Sequence, residues 1–122
     1  MHKEFVPYAE ALELRDVGFD EPCICGYSKS TEQLETYSRF LVTKDSFTVD
    51  APTYSQAFEF FREHQEWPID SWIRPFVSQQ PRSYTGIIWT RGQIIHAGVF
   101  STYDEAQLNL LRKLIEIVKT KQ

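Results

Sequence analysis

The stretch WPIDSWIRPF, from Trp67 to Phe76, combines residue types that can bind a planar, anionic ligand. Trp67 and Trp72 offer flat aromatic faces on which a base or another ring can stack. Arg74 offers a fork of donors for a phosphate or carboxylate, and Asp70 can accept from the donors of a purine or ribose. The stretch therefore predicts a binding site for a nucleotide-like ligand.

The position of this stretch in the chain favours a functional role. It lies in residues 65–82, a segment with three prolines that we expect to be irregular. Long irregular connections in compact domains tend to be functional, and prolines reduce the entropy lost on binding. An alternative interpretation stays open, in which the tryptophans fill the core and Arg74 pairs with an acid such as Glu66.

The strands after this segment add two candidate site residues. SYTGIIWT and QIIHAGVFS flank Arg91-Gly92, which predicts a hairpin with a two-residue turn. In such a hairpin Trp89 lies opposite Ile94 and Ile87 lies opposite His96, so these four side chains share one face. The other face would carry Ile88, Ile95, Ala97 and Val99. Both faces are partly apolar, so the one marked by Trp89 and His96 should meet the irregular segment, a second chain or a ligand.

Other residue patterns give little support for catalysis. Cys23 and Cys25 are too close for an unstrained disulfide and have no ligand spacing to a histidine, so we expect two small, reduced, buried residues and no metal site. The chain has no Gly-rich phosphate loop, no G-x-S-x-G and no H-E-x-x-H. We therefore expect a protein without enzymatic activity and without a cofactor.

Two nearly identical pentapeptides predict where helices begin. TYSQA (Thr53–Ala57) and TYDEA (Thr102–Ala106) each place a threonine at an N-cap and a Gln or Glu three residues later. This is the pattern of a capping box, in which each side chain bonds the other residue's backbone amide. Tyr54 and Tyr103 should then begin the buried stripe of each helix.

The order of the elements predicts the fold class. A leading helix over residues 7–17 should end before Gly18. CICGYS and TYSRFLVT are typical of antiparallel strands, with Lys44 and Asp45 in a tight turn into SFTVD. The grouping of strands and helices favours an α+β fold with a mostly antiparallel sheet. We expect two hairpin-plus-helix units behind the N-terminal helix, in one small domain over residues 1–122.

Charge and hydropathy argue against several classes of protein. The 122 residues carry a formal net charge of -4 with interspersed charges and no basic stripe, so we expect no direct DNA or RNA binding. No apolar run is long enough to span a bilayer, and no secretory leader is evident, so we expect a cytoplasmic protein without a membrane partner. Aromatic residues make up 15% of the chain, more than a small core readily holds, which favours a homo-oligomer or a ligand pocket.

Three segments, ALELRDVGFDEPC, APTYSQAFEFFRE and TYDEAQLNLLRKLIEIVK, resemble a set of small uncharacterised proteins carried by phages and prophages of gut bacteria. The resemblance extends from Tyr8 to Lys119 and implies no catalytic residue. It implies an accessory protein in an infected cell, where such proteins often disable a host protein or a small signalling nucleotide. We expect sequestration of a nucleotide-like host defence signal. The alternative is an inhibitor or adaptor that captures a host protein through the same aromatic surface, and a nucleotide hydrolase ranks below both.

Overall fold

The computed structural model describes residues 4–36, 48–63, 69–76 and 83–120. Their elements, in chain order, are α1 (Tyr8–Asp16), β1 (Cys25–Ser28), β2 (Leu34–Thr36), β3 (Thr48–Asp50), α2 (Tyr54–Glu63), β4 (Ile69–Phe76), β5 (Ser83–Thr90), β6 (Gln93–Phe100) and α3 (Tyr103–Thr120). The strands form two antiparallel sheets of three, in the orders β2-β1-β3 and β4-β5-β6. The predicted α+β class with a leading helix is confirmed, and each sheet is followed by a helix.

The chain divides into two compact units, Met1–Ala57 and Phe58–Gln122. The first unit contains α1, the sheet of β1 to β3 and the start of α2, and the second contains β4 to β6 and α3. Of the predicted strand TYSRFLVT, residues 36–43, only Thr36 is described, and residues 37–43 lie outside the described residues together with the predicted turn at Lys44 and Asp45. The prediction of one domain over the whole chain stays a prediction.

Helix α1 ends before Gly18 as predicted, but it begins at Tyr8, one residue after the predicted start at Pro7. Pro7 is the N-cap, with extended backbone angles of φ −62° and ψ 160°. After the helix, Gly18 adopts φ +104°, and its N–H donates to the Arg15 carbonyl (3.1 Å) while the Phe19 N–H donates to the Leu14 carbonyl (2.9 Å). These two bonds form a Schellman motif, which uses the left-handed backbone of glycine to satisfy the last carbonyl groups of the helix.

The core of the first unit surrounds Tyr27 on the central strand β1. Its hydroxyl donates to the Val6 carbonyl at 2.7 Å, and its ring packs edge-on against Tyr8. Burial raises the pKa of Tyr27, with smaller contributions from Cys25 and Glu10, so the phenol stays a neutral donor. Cys25 is buried as predicted, whereas Cys23 is only half-buried and its thiol donates to the Glu21 carbonyl at 3.4 Å.

A threonine caps both predicted helix starts, and the reciprocal capping box is seen at α2. At α2 the Gln56 N–H donates to Thr53 Oγ1 (3.2 Å), and the Thr53 N–H donates to Gln56 Oε1 (3.0 Å), which is the reciprocal pair. At α3 the Glu105 N–H donates to Thr102 Oγ1 (3.1 Å). The Glu105 carboxylate also accepts from the hydroxyls of Thr102 (3.3 Å) and Ser101 (3.2 Å).

The cap of α2 should be measurable in the stability of the protein. Thr53→Ala removes the acceptor of the Gln56 amide, and we expect it to lower the free energy of unfolding by about 1 kcal/mol. Urea unfolding measures this loss, and Thr53→Ser, which keeps the hydroxyl, is the matched control. Equal unfolding midpoints for Thr53→Ala and the wild-type chain would contradict the capping role.

In the second unit, α3 packs against one face of the sheet, called here the inner face. Ile69, Ser71, Ile88 and Thr90 alternate on this face and are buried. A Cβ atom built on Gly86 would lie 3.2 Å from the Leu110 side chain, which places α3 directly above this part of β5. The buried residues of the helix are Ala106, Leu110, Leu111, Leu114, Ile115 and Val118.

The predicted stripe of α3 is wrong at its first residue. Tyr103 is 49% exposed, and its ring packs edge-on against Tyr84 at a centroid distance of 5.9 Å. The buried residues of the helix begin at Ala106, one turn after Tyr103, which occupies the first helical position.

The hairpin of β5 and β6 has the predicted two-residue turn and an unpredicted bulge. Arg91 and Gly92 adopt φ +52° and +76°, the left-handed pair of a type I′ turn. Further along, Thr85 pairs with Val99 while Ile87 pairs with His96, so β6 carries one extra residue between them. The bulge contains Gly98 at φ +112° and turns Val99 to the face of Thr85. The prediction that Val99 shares a face with Ile88 is therefore wrong.

The prediction of an irregular segment over residues 65–82 is wrong where the structure describes it. Residues 69–76 form strand β4, which pairs with β5 along its whole length, with Pro75 opposite Tyr84. Proline is tolerated there because β4 is an edge strand of the β4-β5-β6 sheet. The alternation of side chains in this segment is typical of a half-buried strand, and a proline at its edge does not prevent the pairing.

Candidate functional site

Five of the six predicted site residues lie on one face of the second sheet. Asp70, Trp72 and Arg74 alternate along β4, and the register places Trp89 of β5 opposite Asp70. His96 of β6 lies opposite Ile87, which in turn lies opposite Trp72. Side chains at directly paired positions share a face, so the sheet brings all five together. The sixth predicted residue, Trp67, lies outside the described residues.

This face, opposite to the inner face, forms three rows across the three strands and is called here the aromatic face. Its rows are Asp70–Trp89–Ile94, Trp72–Ile87–His96 and Arg74–Thr85–Val99. Ile87 occupies the central position, and the two tryptophans are diagonal neighbours beside it. Thr85 and Val99 are the members that sequence reasoning missed. A glycine inside a predicted strand, here Gly98, is the bulge signal that could have identified Val99.

The aromatic face is exposed although much of it is apolar. Trp72 and Trp89 are 39% and 40% exposed, and Ile94 and Val99 are 61% and 55% exposed. Only Ile87 and Thr85, in the central strand, are buried. The interpretation that tryptophans fill the core is wrong for Trp72. Exposed apolar surface of this kind typically marks a binding site or an interface.

The register sets the backbone spacing of the two tryptophans. Diagonal neighbours on adjacent antiparallel strands lie about 7–8 Å apart. Stacked bases are separated by about 3.4 Å, so a base held between two indoles needs them about 7 Å apart. The backbone positions of Trp72 and Trp89 are therefore compatible with two rings on either side of one base, with Ile87 at an adjacent position of the same face.

The polar groups of the aromatic face differ in how they are engaged. The Asp70 carboxylate accepts from the Ser71 N–H at 2.8 Å, which orients it at the corner of the face. The Thr85 hydroxyl is occupied, because it donates to the Gly98 carbonyl at 2.8 Å. Within the described ranges, no ion pair or hydrogen bond engages the exposed Arg74 guanidinium. Its N–H groups can therefore donate to an anionic group of a ligand.

The described part of the chain contains neither a metal-binding cluster nor a membrane-spanning helix. Among the residues that the structure describes, no group of three His, Cys, Asp or Glu side chains could hold a metal ion. No helix within these ranges is both long enough and apolar enough to cross a membrane.

Comparison with known proteins does not assign this site. No protein-family model matches the chain, and neither a curated protein nor a solved structure matches it. Support for a function therefore comes from the geometry of the aromatic face.

Proposed function

We propose that the chain binds a small nucleotide-like ligand on the aromatic face and holds it without turnover. The observation that carries this proposal is the pair of half-exposed indoles, Trp72 and Trp89, at diagonal positions above the buried Ile87. A base between the two rings would stack on both sides, and each such contact is worth about 1–3 kcal/mol.

The rows of the face orient the proposed ligand. Asp70, Trp89, Ile87 and Trp72 form a four-cornered group on two paired strands. The tryptophans occupy two opposite corners of this group, and Asp70 and Ile87 occupy the other two. A base clamped between the indoles would direct one edge at the Asp70 carboxylate, which accepts from ring or amino N–H groups. Arg74 lies two residues beyond Trp72 on the same strand, about 7 Å along it, within reach of a phosphate.

The biological role that we propose follows from the resemblance to phage proteins. A phage accessory protein in the cytoplasm of an infected cell would sequester a nucleotide-like host defence signal by occupying its base and phosphate. Tight binding without turnover suits that role, because each protein then removes one signal molecule for as long as the complex lasts.

A titration of the full chain with a panel of mononucleotides, dinucleotides and cyclic nucleotides tests the proposal. We expect at least one compound to quench tryptophan fluorescence with a dissociation constant of about 1 μM or lower, near −8 kcal/mol. The matching nucleoside should bind more weakly because it offers no phosphate to Arg74. Heating the complex should release the ligand chemically intact, as measured by chromatography. Absence of binding across the panel, or recovery of a cleaved ligand, would refute the proposal.

A second candidate function is capture of a host protein through the same face. The observation that favours it is that Ile94 and Val99 are more exposed than either indole. Both residues lie on β6, at the opposite edge of the sheet from Arg74. Apolar side chains at this position suit a protein interface better than a charged ligand. Capture from host lysate that requires Trp72, Ile94 and Val99, with no nucleotide bound, would favour this function.

A further inference from the structure

The two edges of the second sheet differ in their capacity to pair with another strand. In the two-residue hairpin, Thr90 and Gln93 flank the turn and form a hydrogen-bonded pair. Hydrogen-bonded and non-hydrogen-bonded pairs alternate along an antiparallel ladder. Every second residue of β5 counted from Thr90, including Ile88 and Tyr84, therefore directs its N–H and carbonyl toward β6. Those of Trp89 and Ile87 are directed toward β4. This alternation identifies which residues of β4 and β6 direct their backbone groups outward.

The β4 edge is blocked at two of its outward positions. Ser71 lies opposite Ile88, so its N–H points away from β5, and the Asp70 carboxylate accepts it at 2.8 Å. Pro75 lies opposite Tyr84 in the same alternation, and it has no N–H to donate. Charged side chains and a proline on an edge strand are the usual protection against pairing with another chain.

The β6 edge has no comparable protection. Ile94 lies opposite Trp89 and His96 lies opposite Ile87, so both residues direct an N–H and a carbonyl outward. Gln93–Phe100 contains no proline and no Asp, Glu, Lys or Arg, and none of its residues is buried. The regular part of this edge ends at the bulge that includes Gly98. Residues 93–97 thus form a short, uncharged and exposed pairing edge.

We infer that β6 pairs antiparallel with β6 of a second copy of this chain, about a two-fold axis at Ile95. The two outward residues, Ile94 and His96, lie symmetrically on either side of Ile95. The axis therefore places Ile94 of each copy opposite His96 of the other, and each pair exchanges two N–H···O bonds. The strand is self-complementary in this register, as a two-fold interface requires.

This pairing joins two three-stranded sheets into one sheet of six strands. The aromatic faces of the two copies become continuous, with Ile94 and His96 of both copies between the two indole pairs. Ile94, 61% exposed in the single chain, then gains apolar cover from the second copy. The inference does not depend on the proposed ligand, because it can be tested on the protein alone.

The first test is the solution mass of the full chain by light scattering or sedimentation. At a protein concentration of about 100 μM we expect a mass twice the chain mass of 14.3 kDa, because a two-fold interface closes at two copies. Ile94→Lys places a charge beside the edge and should raise the dimer dissociation constant at least tenfold. Val99→Lys is the matched control, since it adds the same charge to the same face beyond the bulge, and it should stay dimeric. A monomeric wild-type chain, or equal weakening by both substitutions, would overturn the inference.

The second test fixes the register by disulfide cross-linking under mild oxidation. Ile95→Cys should cross-link two chains, because residue 95 lies opposite itself in a non-hydrogen-bonded pair with Cα atoms about 4.5 Å apart. Gln93→Cys should not, since residue 93 lies opposite residue 97 of the second copy. Both variants are made on a Cys23→Ala background and analysed on non-reducing gels. Equal cross-linking of the two variants, or none by Ile95→Cys, would overturn the register.

Discussion

Replacement of Trp72 or Trp89 by alanine should weaken nucleotide binding by about 5- to 150-fold each. Base–aromatic stacking is worth about 1–3 kcal/mol per base on alanine substitution, and every 1.4 kcal/mol changes affinity tenfold. Both rings stack on the same base in the proposed complex, so the loss of either leaves it held from one side only. Calorimetric titration of the tightest ligand measures the change, because it does not depend on the removed fluorophore.

Two controls separate this loss of stacking from unfolding or a general surface effect. Trp89→Phe keeps an aromatic face and should retain most of the affinity that Trp89→Ala loses. Ile94→Ala changes the same face and the same row without touching the clamp, and it should leave the affinity within about twofold, as expected for a residue outside the ligand. An equal loss for Ile94→Ala and Trp89→Ala would point to a protein interface in place of a stacked ring.

Much of the aromatic face could be predicted from local rules. The two-residue turn at Arg91-Gly92 sets the register of the hairpin, and the register alone places Trp89 and His96 on one face. The threonine caps at Thr53 and Thr102 likewise depend on residues three positions apart, and both helix starts are confirmed. These features follow from the sequence because short-range geometry determines them.

The features that the sequence analysis missed depend on the pairing of whole strands. Pro75 suggests a break in the chain, but β4 accommodates it at an outward position of an edge that only the sheet order defines. The bulge at Gly98 changes the face of Val99, and the glycine signals a possible bulge, but only the pairing of β6 with β5 fixes which side chains change face. Tyr103 follows the periodicity of α3, but it is 49% exposed and its ring packs edge-on against Tyr84. In each case tertiary context overrides a local pattern.

The inner face predicts the largest effect on stability. Leu110 is fully buried in α3, directly above Gly86 of β5. Leu110→Ala would leave a cavity between the helix and the sheet, and we expect it to lower the free energy of unfolding by about 2–5 kcal/mol. Urea unfolding at one fixed protein concentration measures the loss, since the inferred dimerisation would make apparent stability depend on concentration. A loss below about 1 kcal/mol would contradict the tight packing of α3 on this face.

The contact between Leu110 and Gly86 should also appear as an energetic coupling. A Cβ on Gly86 would lie 3.2 Å from Leu110 Cβ and Cδ1 and 3.3 Å from Ala97 Cβ, so Gly86→Ala should destabilise by about 1–3 kcal/mol. In the Leu110→Ala background the Cδ1 atom is gone and the new methyl group partly fills the cavity. Gly86→Ala should then cost at least about 0.5 kcal/mol less, which a double-mutant cycle detects. Leu114→Ala, one helical turn further on, is the control. Its effect on the free energy of unfolding should be additive with that of Gly86→Ala.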